Sequence, residues 1–180
     1  MEENDQTLAF TGIPGPNISN SDIPQRFNIR VYGLLVWNDQ LLVSDEYIRG
    51  NYFTKFPGGG LEFGEGTRDC LRREFMEETG LEVVVRDHLY TTDFFQISAF
   101  NHKDQIISIY YFVEAPNAGN LATKTAVFDF EPHQVADPKG ESEVFRWIPL
   151  SEIKPECVSL PIDKHVVILL QQYYRLPRQE

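Results

Sequence analysis

The chain has 180 residues, 42% of them hydrophobic and 13% aromatic, enough apolar material for one core and too little length for two full domains. Sixteen Lys and Arg against 27 Asp and Glu leave a formal charge of −11 with no basic patch, which argues against nucleic acid or an anionic membrane as partner. Cys70 and Cys157 make no disulfide framework, neither end shows a signal-type segment, and no run nears the roughly 18 apolar residues of a membrane helix, so the expected setting is cytoplasmic.

In chain order, residues 1–26 mix acids with Pro, Gly, Asn and Ser without periodicity and read as an arm or tail, leaving 27–180 as one domain. Residues 27–37 are rich in β-branched and aromatic types; Asn38 and Asp39 then lead into Leu41, Leu42 and Val43, the pattern of a hairpin. A short strand at 52–56 runs into Pro57, Gly58, Gly59 and Gly60, where glycine frees the backbone for a sharp bend and close approach to a ligand. The main helix is expected over 68–79, with Thr67 as N-cap and Gly80 as its stop. Further strands are expected at 81–86, 89–97, 106–115, 126–130 and 144–148, with a surface loop at 117–124. Helical spacing over 163–175 turns Val166, Ile168, Leu169, Leu170 and Tyr173 towards a core. Strands mixed with two helices imply an α+β or α/β/α layered arrangement, whose strand order periodicity does not fix.

The chemistry concentrates in the main helix. Glu74 and Glu78 are four apart and Glu74 and Glu77 three apart, so the carboxylates share a face that borders the apolar stripe of Leu71 and Phe75. Most charge runs are solvated surface. Here, however, like charges at i,i+4 cost about 0.2–0.5 kcal/mol, and acids in a helix's last turn meet the negative end of its dipole at about 0.3–1 kcal/mol. A helix selected for stability alone would carry Lys or Arg at positions 77 and 78. A divalent ion reverses the sign of both effects, because hard cations gather carboxylate oxygens. So acidic a chain also has few cations of its own with which to neutralise a phosphate substrate.

Gly59, five residues, Glu65, seven residues, and then Arg73, Glu74, Phe75, Met76, Glu77, Glu78, Thr79, Gly80 and Leu81 match the Nudix box at every fixed position. The lead-in of Phe56, Pro57, Gly58 and Gly59, and the segment Trp147, Ile148, Pro149 and Leu150, also resemble that family, and the likeness extends over about 27–175. The resemblance implies a Nudix-type α/β/α sandwich with a mixed β-sheet. It implies hydrolysis of the diphosphate linkage of a nucleoside diphosphate joined to another group, by water activated on Mg2+ or Mn2+. Carried over by position, Glu74 and Glu78 are principal metal ligands, Glu77 a further or water-mediated one, and the Gly59 carbonyl a backbone ligand. Arg73 orients the carboxylates, and Glu65 supports the metal cluster or the loop.

Family members often draw a further acid from the loop before the last strand; Glu141 and Glu143 both qualify, and Glu141 is the one favoured. The proton acceptor is open among Glu74, Glu78 and Glu141. Which small nucleotide-type substrate is used lies in loops outside the box, and no substrate-binding residue is assigned. Tyr52, Phe53 or Phe95 could stack on a base, although strand aromatics more often fill a core. The tail leaves room for a homodimer. The four His lack zinc-ligand spacing. A nucleotide- or ADP-ribose-sensing Nudix module without catalysis is the alternative function, and a purely structural acidic domain would make the loop and helix identities accidental.

Overall fold

At the centre of the molecule a strand is buried on both of its faces. In this computed structural model, which describes residues 23–175, β1 (Arg26–Trp37) sends Val31 and Leu35 to one side, where they pack with Cys70, Leu71 and Phe75 of α1 (Thr67–Thr79). Tyr32 and Leu34 point the other way, onto Val166, Val167 and Leu170 of α2 (Pro161–Tyr173). A strand covered on both faces reads as a nearly continuous apolar run. Leu71 and Phe75 are fully buried, and each contributes about 1.5–3 kcal/mol through removal from water. Gly33 faces α1, and a Cβ there would overlap the Phe75 ring, so glycine is what lets the helix seat so close to the strand.

Asn38 and Asp39, at φ 49° and 57°, form the tight turn that matches the right-handed twist of a hairpin, and they lead into β2 (Gln40–Ile48). β2 lies between β3 (Asn51–Lys55) and β7 (Glu141–Pro149), antiparallel to both. β1 lies between β4 (Gly58–Gly60), antiparallel, and β6 (Asp104–Glu114), parallel, with β5 (Val84–Thr91) antiparallel beyond β6. The two groups meet at the hairpin end, where Val36 pairs with Leu41 and Trp37 with Gln40. The outcome is the expected mixed sheet between two helices, and it has seven strands.

Several expectations shift. The expected tail lies outside the described residues as far as residue 22, and Arg26 already opens β1 while pairing with Asp104. α1 is capped by Gly66 and not by Thr67; the Asp69 carboxylate accepts from the Gly66 N–H (3.3 Å), while the Thr67 hydroxyl bonds the Tyr111 hydroxyl (2.9 Å). Gly80 ends the helix in the left-handed region at φ 70°, its N–H donating to the Met76 carbonyl. The strands expected at 81–86 and 89–97 are one strand, β5, because the chain leaves the ladder after Thr91 and only Ile97 returns, as an isolated bridge to Gln105. Residues 126–130 are not a strand: Phe128 sits at φ 55°, and its N–H goes to the buried Asp45 carboxylate, not to a ladder partner. Part of the expected 117–124 loop turns inward, with Ala118 buried.

Candidate active site

The glycine loop is built around two glutamates. At Gly58, φ is +130° and a Cβ would overlap the Val31 carbonyl; at Gly59 a Cβ would overlap the Glu74 carboxyl group. The Gly58 N–H donates to Glu78 Oε2 (3.1 Å). Glu74 and Glu78, one helical turn apart on α1, are thus both seated against the backbone of β4.

Arg73 binds the other box carboxylates. Its Nη2 and Nε donate to the two oxygens of Glu65 (2.7 and 3.1 Å), and its Nη1 donates to Glu74 (2.8 Å) and Glu77 (3.2 Å). Nη2 also reaches the Gly60 carbonyl (3.1 Å), tying α1 to the loop. The planar guanidinium suits such a two-pronged contact. Its hydrogen bonds, joined by one from the Glu62 N–H, hold the Glu65 carboxyl down at about 2. Glu77 lies at the rim, 60% exposed. Burial, with Glu65 beside it, pushes the Cys70 thiol up to about 12, so this cysteine is a neutral packing residue.

A second group of acids lies beyond Arg73's reach. Glu46 on β2 and Glu143 on β7 are direct cross-strand partners, on the parity of Leu42 and Phe145, the face that α1 covers. Glu78 reaches them from the helix: one carboxylate oxygen from each of the three lies within 4.8 Å of the others. Glu143 accepts from the Ser44 hydroxyl (2.8 Å), and Glu46 pairs with buried Lys55 (2.8 Å). At an effective dielectric near 20, two unit charges at such a separation repel by about 3 kcal/mol. Burial and then Glu143 raise the pKa of Glu78, and burial leads the rise in Glu143. Three carboxylates, Glu46 buried and Glu78 and Glu143 half-buried, with one paired lysine form a hard oxygen donor set, which fits Mg2+ or Mn2+.

The sequence-predicted residues therefore fall into two places. Glu65, Glu74 and Glu77 gather around Arg73, with Gly59 against Glu74, and Glu78 joins the trio. Glu141 stands apart from both groups, though on the wall of the same cavity: it lies opposite Ile48 at the end of β7, its side chain 60% exposed and paired with Arg49 (3.4 Å). Glu143, two residues on, is the acid that meets Glu46 and Glu78. Glu46 was not singled out from sequence. The available signal was a polar pair, Ser44 and Glu46, continuing on one face a strand that opens on the buried Leu41, Leu42 and Val43.

The trio borders a cavity of about 560 Å3, whose wall also includes Arg30, Lys55, Phe53, Tyr110 and Asp163. Among the described residues, no helix is long and apolar enough to cross a membrane.

The family model for the NUDIX domain matches residues 27–168. Among solved structures, a NUDIX hydrolase from Nitrosomonas europaea superposes with a TM-score of 0.58 at 20% identity, covering 86% of this chain and 97% of that one. A UDP-X diphosphatase gives 0.53 at 18% identity over 83% of this chain, which spans 63% of the diphosphatase. An ADP-ribose pyrophosphatase from Streptococcus suis gives 0.50 at 14% identity, over 85% and 96% of the two chains. At such identities the likeness is one of fold.

Proposed function

This chain belongs to the NUDIX domain family, and on that premise we propose that it is a pyrophosphohydrolase, cleaving the diphosphate linkage of a nucleoside diphosphate joined to a further group. The observation that carries the reading is the close trio of Glu46, Glu78 and Glu143 on the border of the cavity, beside a glycine loop held in place by Arg73. Glu46, Glu78 and Glu143 would hold Mg2+ or Mn2+, with Glu74 and the Gly59 carbonyl as neighbouring oxygen donors. A bound dication supplies charge neutralisation for the diphosphate and acidifies water.

The chain's own groups do the rest. Arg73 holds the Glu65 and Glu74 carboxylates in place, so the loop and helix approach the substrate as one unit. A carboxylate of this cluster with an oxygen left free of the ion would be suited to accept the proton from the attacking water. Lys55 and Arg30, in the cavity wall, offer positive charge to the substrate's phosphates. The neutral, buried Cys70 suits a reducing, cytoplasmic setting.

The test is a panel of diphosphate-linked nucleotides, among them ADP-ribose, a UDP-sugar and a dinucleotide, incubated with Mg2+ or Mn2+ and with the products resolved. We expect cleavage between the two phosphorus atoms that stops on chelation and falls about 10³-fold in Glu78→Gln, as the loss of several kcal/mol of charge stabilisation requires. Binding without turnover across the panel would overturn the enzymatic reading and leave a nucleotide-sensing module.

A further inference from the structure

Each acid of the trio is tethered to the chain through one oxygen only, and each tether is of a different kind. Lys55 Nζ pairs with Glu46 Oε1 (2.8 Å), the Gly58 N–H donates to Glu78 Oε2 (3.1 Å), and the Ser44 hydroxyl donates to Glu143 Oε2 (2.8 Å). The second oxygen of each acid receives no hydrogen bond from a described residue. Those three oxygens are nevertheless not sealed in, because among the described residues Asp163 Oδ2 is the one side-chain oxygen both fully buried and unpartnered. Each acid thus has one oxygen held by the protein and one open on the cavity side.

Of the three tethers, Ser44 is the neutral side chain. It lies on β2 between Lys55 of β3 and Phe145 of β7, fully buried, on the strand face that carries Leu42 and Glu46. A strand built for packing alone would continue from Leu42 with another apolar residue at that position. A serine hydroxyl has one hydrogen to give. Glu143 at 2.8 Å takes it in preference to Glu46 Oε1 at 3.4 Å, and Lys55 already serves that Glu46 oxygen. Through this hydrogen Ser44 sets which oxygen Glu143 turns towards the protein, and hence how much of the carboxylate is left for the cavity.

We infer that Ser44 is a positioning residue that restricts Glu143 to a single open oxygen and thereby fits the trio to a small ion, Mg2+ or Mn2+, against Ca2+. Because the ion belongs to the reading under Proposed function, this role of Ser44 rests on that reading. A small dication demands near-ideal octahedral geometry, and a carboxylate with one oxygen taken by the chain offers it a single, fixed donor. Ca2+ accepts more ligands in looser geometry and is commonly gripped by both oxygens of a glutamate, a mode that the Ser44 hydrogen bond obstructs at Glu143. A backbone amide and an ammonium hold Glu78 and Glu46 in the same one-oxygen manner, so Glu143 is the acid whose freedom one hydroxyl decides. Partners that orient metal ligands in this way govern affinity without touching the metal.

The experiment is calorimetric titration of the full chain, and of Ser44→Ala and Ser44→Thr, with Mg2+, Mn2+ and Ca2+ in turn, while turnover of the diphosphate-linked nucleotides is followed in parallel. Ser44→Ala is expected to bind Mg2+ and Mn2+ about ten-fold more weakly than the wild type and Ca2+ no more weakly, so that the Mg2+ to Ca2+ affinity ratio falls about ten-fold or more. Ser44→Thr keeps the hydroxyl and should return that ratio to within about three-fold of the wild type. Should Ser44→Ala fold poorly, the carboxylate infrared bands of the wild-type chain at one equivalent of ion carry the test: the splitting of one-oxygen coordination is expected with Mg2+ and with Ca2+ alike, and a two-oxygen signature with Ca2+ would overturn the inference. An unchanged ratio in Ser44→Ala, equal weakening towards all three ions, or a ratio that Ser44→Thr leaves as low as Ser44→Ala does would also overturn it. A wild-type chain that takes up none of the three ions would overturn it together with the metal site. The expected ratios with no cleavage of any diphosphate-linked nucleotide would overturn the hydrolase reading alone.

Discussion

Two sets of glutamates lie side by side in this fold, and they solve the problem of crowded charge in opposite ways. Around Arg73, the carboxylates of Glu65, Glu74 and Glu77 meet a guanidinium of the chain itself, and Glu65 is held far below the usual carboxylate range. In the trio of Glu46, Glu78 and Glu143 the one ion pair is that of Lys55 with the buried Glu46, and the pKa values of the half-buried Glu78 and Glu143 rise. The first set is complete as folded and supports the loop. In the proposed function the second set draws its missing positive charge from a metal ion, and Glu74, one helical turn from Glu78, adjoins both sets.

The largest effect that can break the comparison comes from β7. Glu143→Gln is expected to lower kcat/KM about 10²- to 10³-fold, and Glu141→Gln, an exposed partner of Arg49, to leave it within about two-fold. Equal losses in steady-state assays of the two variants would erase the distinction between them. A smaller effect is expected from the framework. Arg73→Lys keeps the charge but cannot reach both Glu65 oxygens, Glu74 and the Gly60 carbonyl together, and it should cost about 10- to 100-fold in metal affinity or turnover. Unchanged metal titration by Arg73→Lys would mean that the loop and α1 hold their places without it.

How much of this was legible in the sequence depended on the range of the interactions. The box helix, its glycine stop and the β1–β2 hairpin rest on contacts within a few residues, and the pattern of types carries them. The N-cap passed from Thr67 to Gly66 because Thr67 is engaged by Tyr111, forty-four positions away. Residues 126–130 have strand composition, yet the Asp45 carboxylate holds Phe128 out of any ladder. The trio was the least legible part. Glu141 and Glu143 lie on one face of β7 by period two, and only the register that sets Glu143 opposite Glu46, and Glu141 opposite Ile48, tells them apart. That register follows from pairing between segments about a hundred residues apart, which no local pattern encodes. The part played by Ser44 was likewise hidden, since its partner Glu143 lies ninety-nine positions away.

The central claim is that the trio is held together by a dication, and the pH dependence of the melting temperature, with chelator and with Mg2+, tests it most directly. A carboxyl whose pKa is raised on folding keeps its proton in the native state, so the stability it contributes is full below the ordinary value of 4.5 and is lost as pH rises through the folded value. Glu65, depressed to about 2, acts in the other direction, its contribution full above 4.5 and lost only in acid. In chelator the melting temperature should therefore fall as pH climbs from 4.5 to about 8, and Mg2+ should restore it by an amount that grows with pH. A melting temperature that stays flat across that range in chelator and is unmoved by Mg2+ would contradict the account.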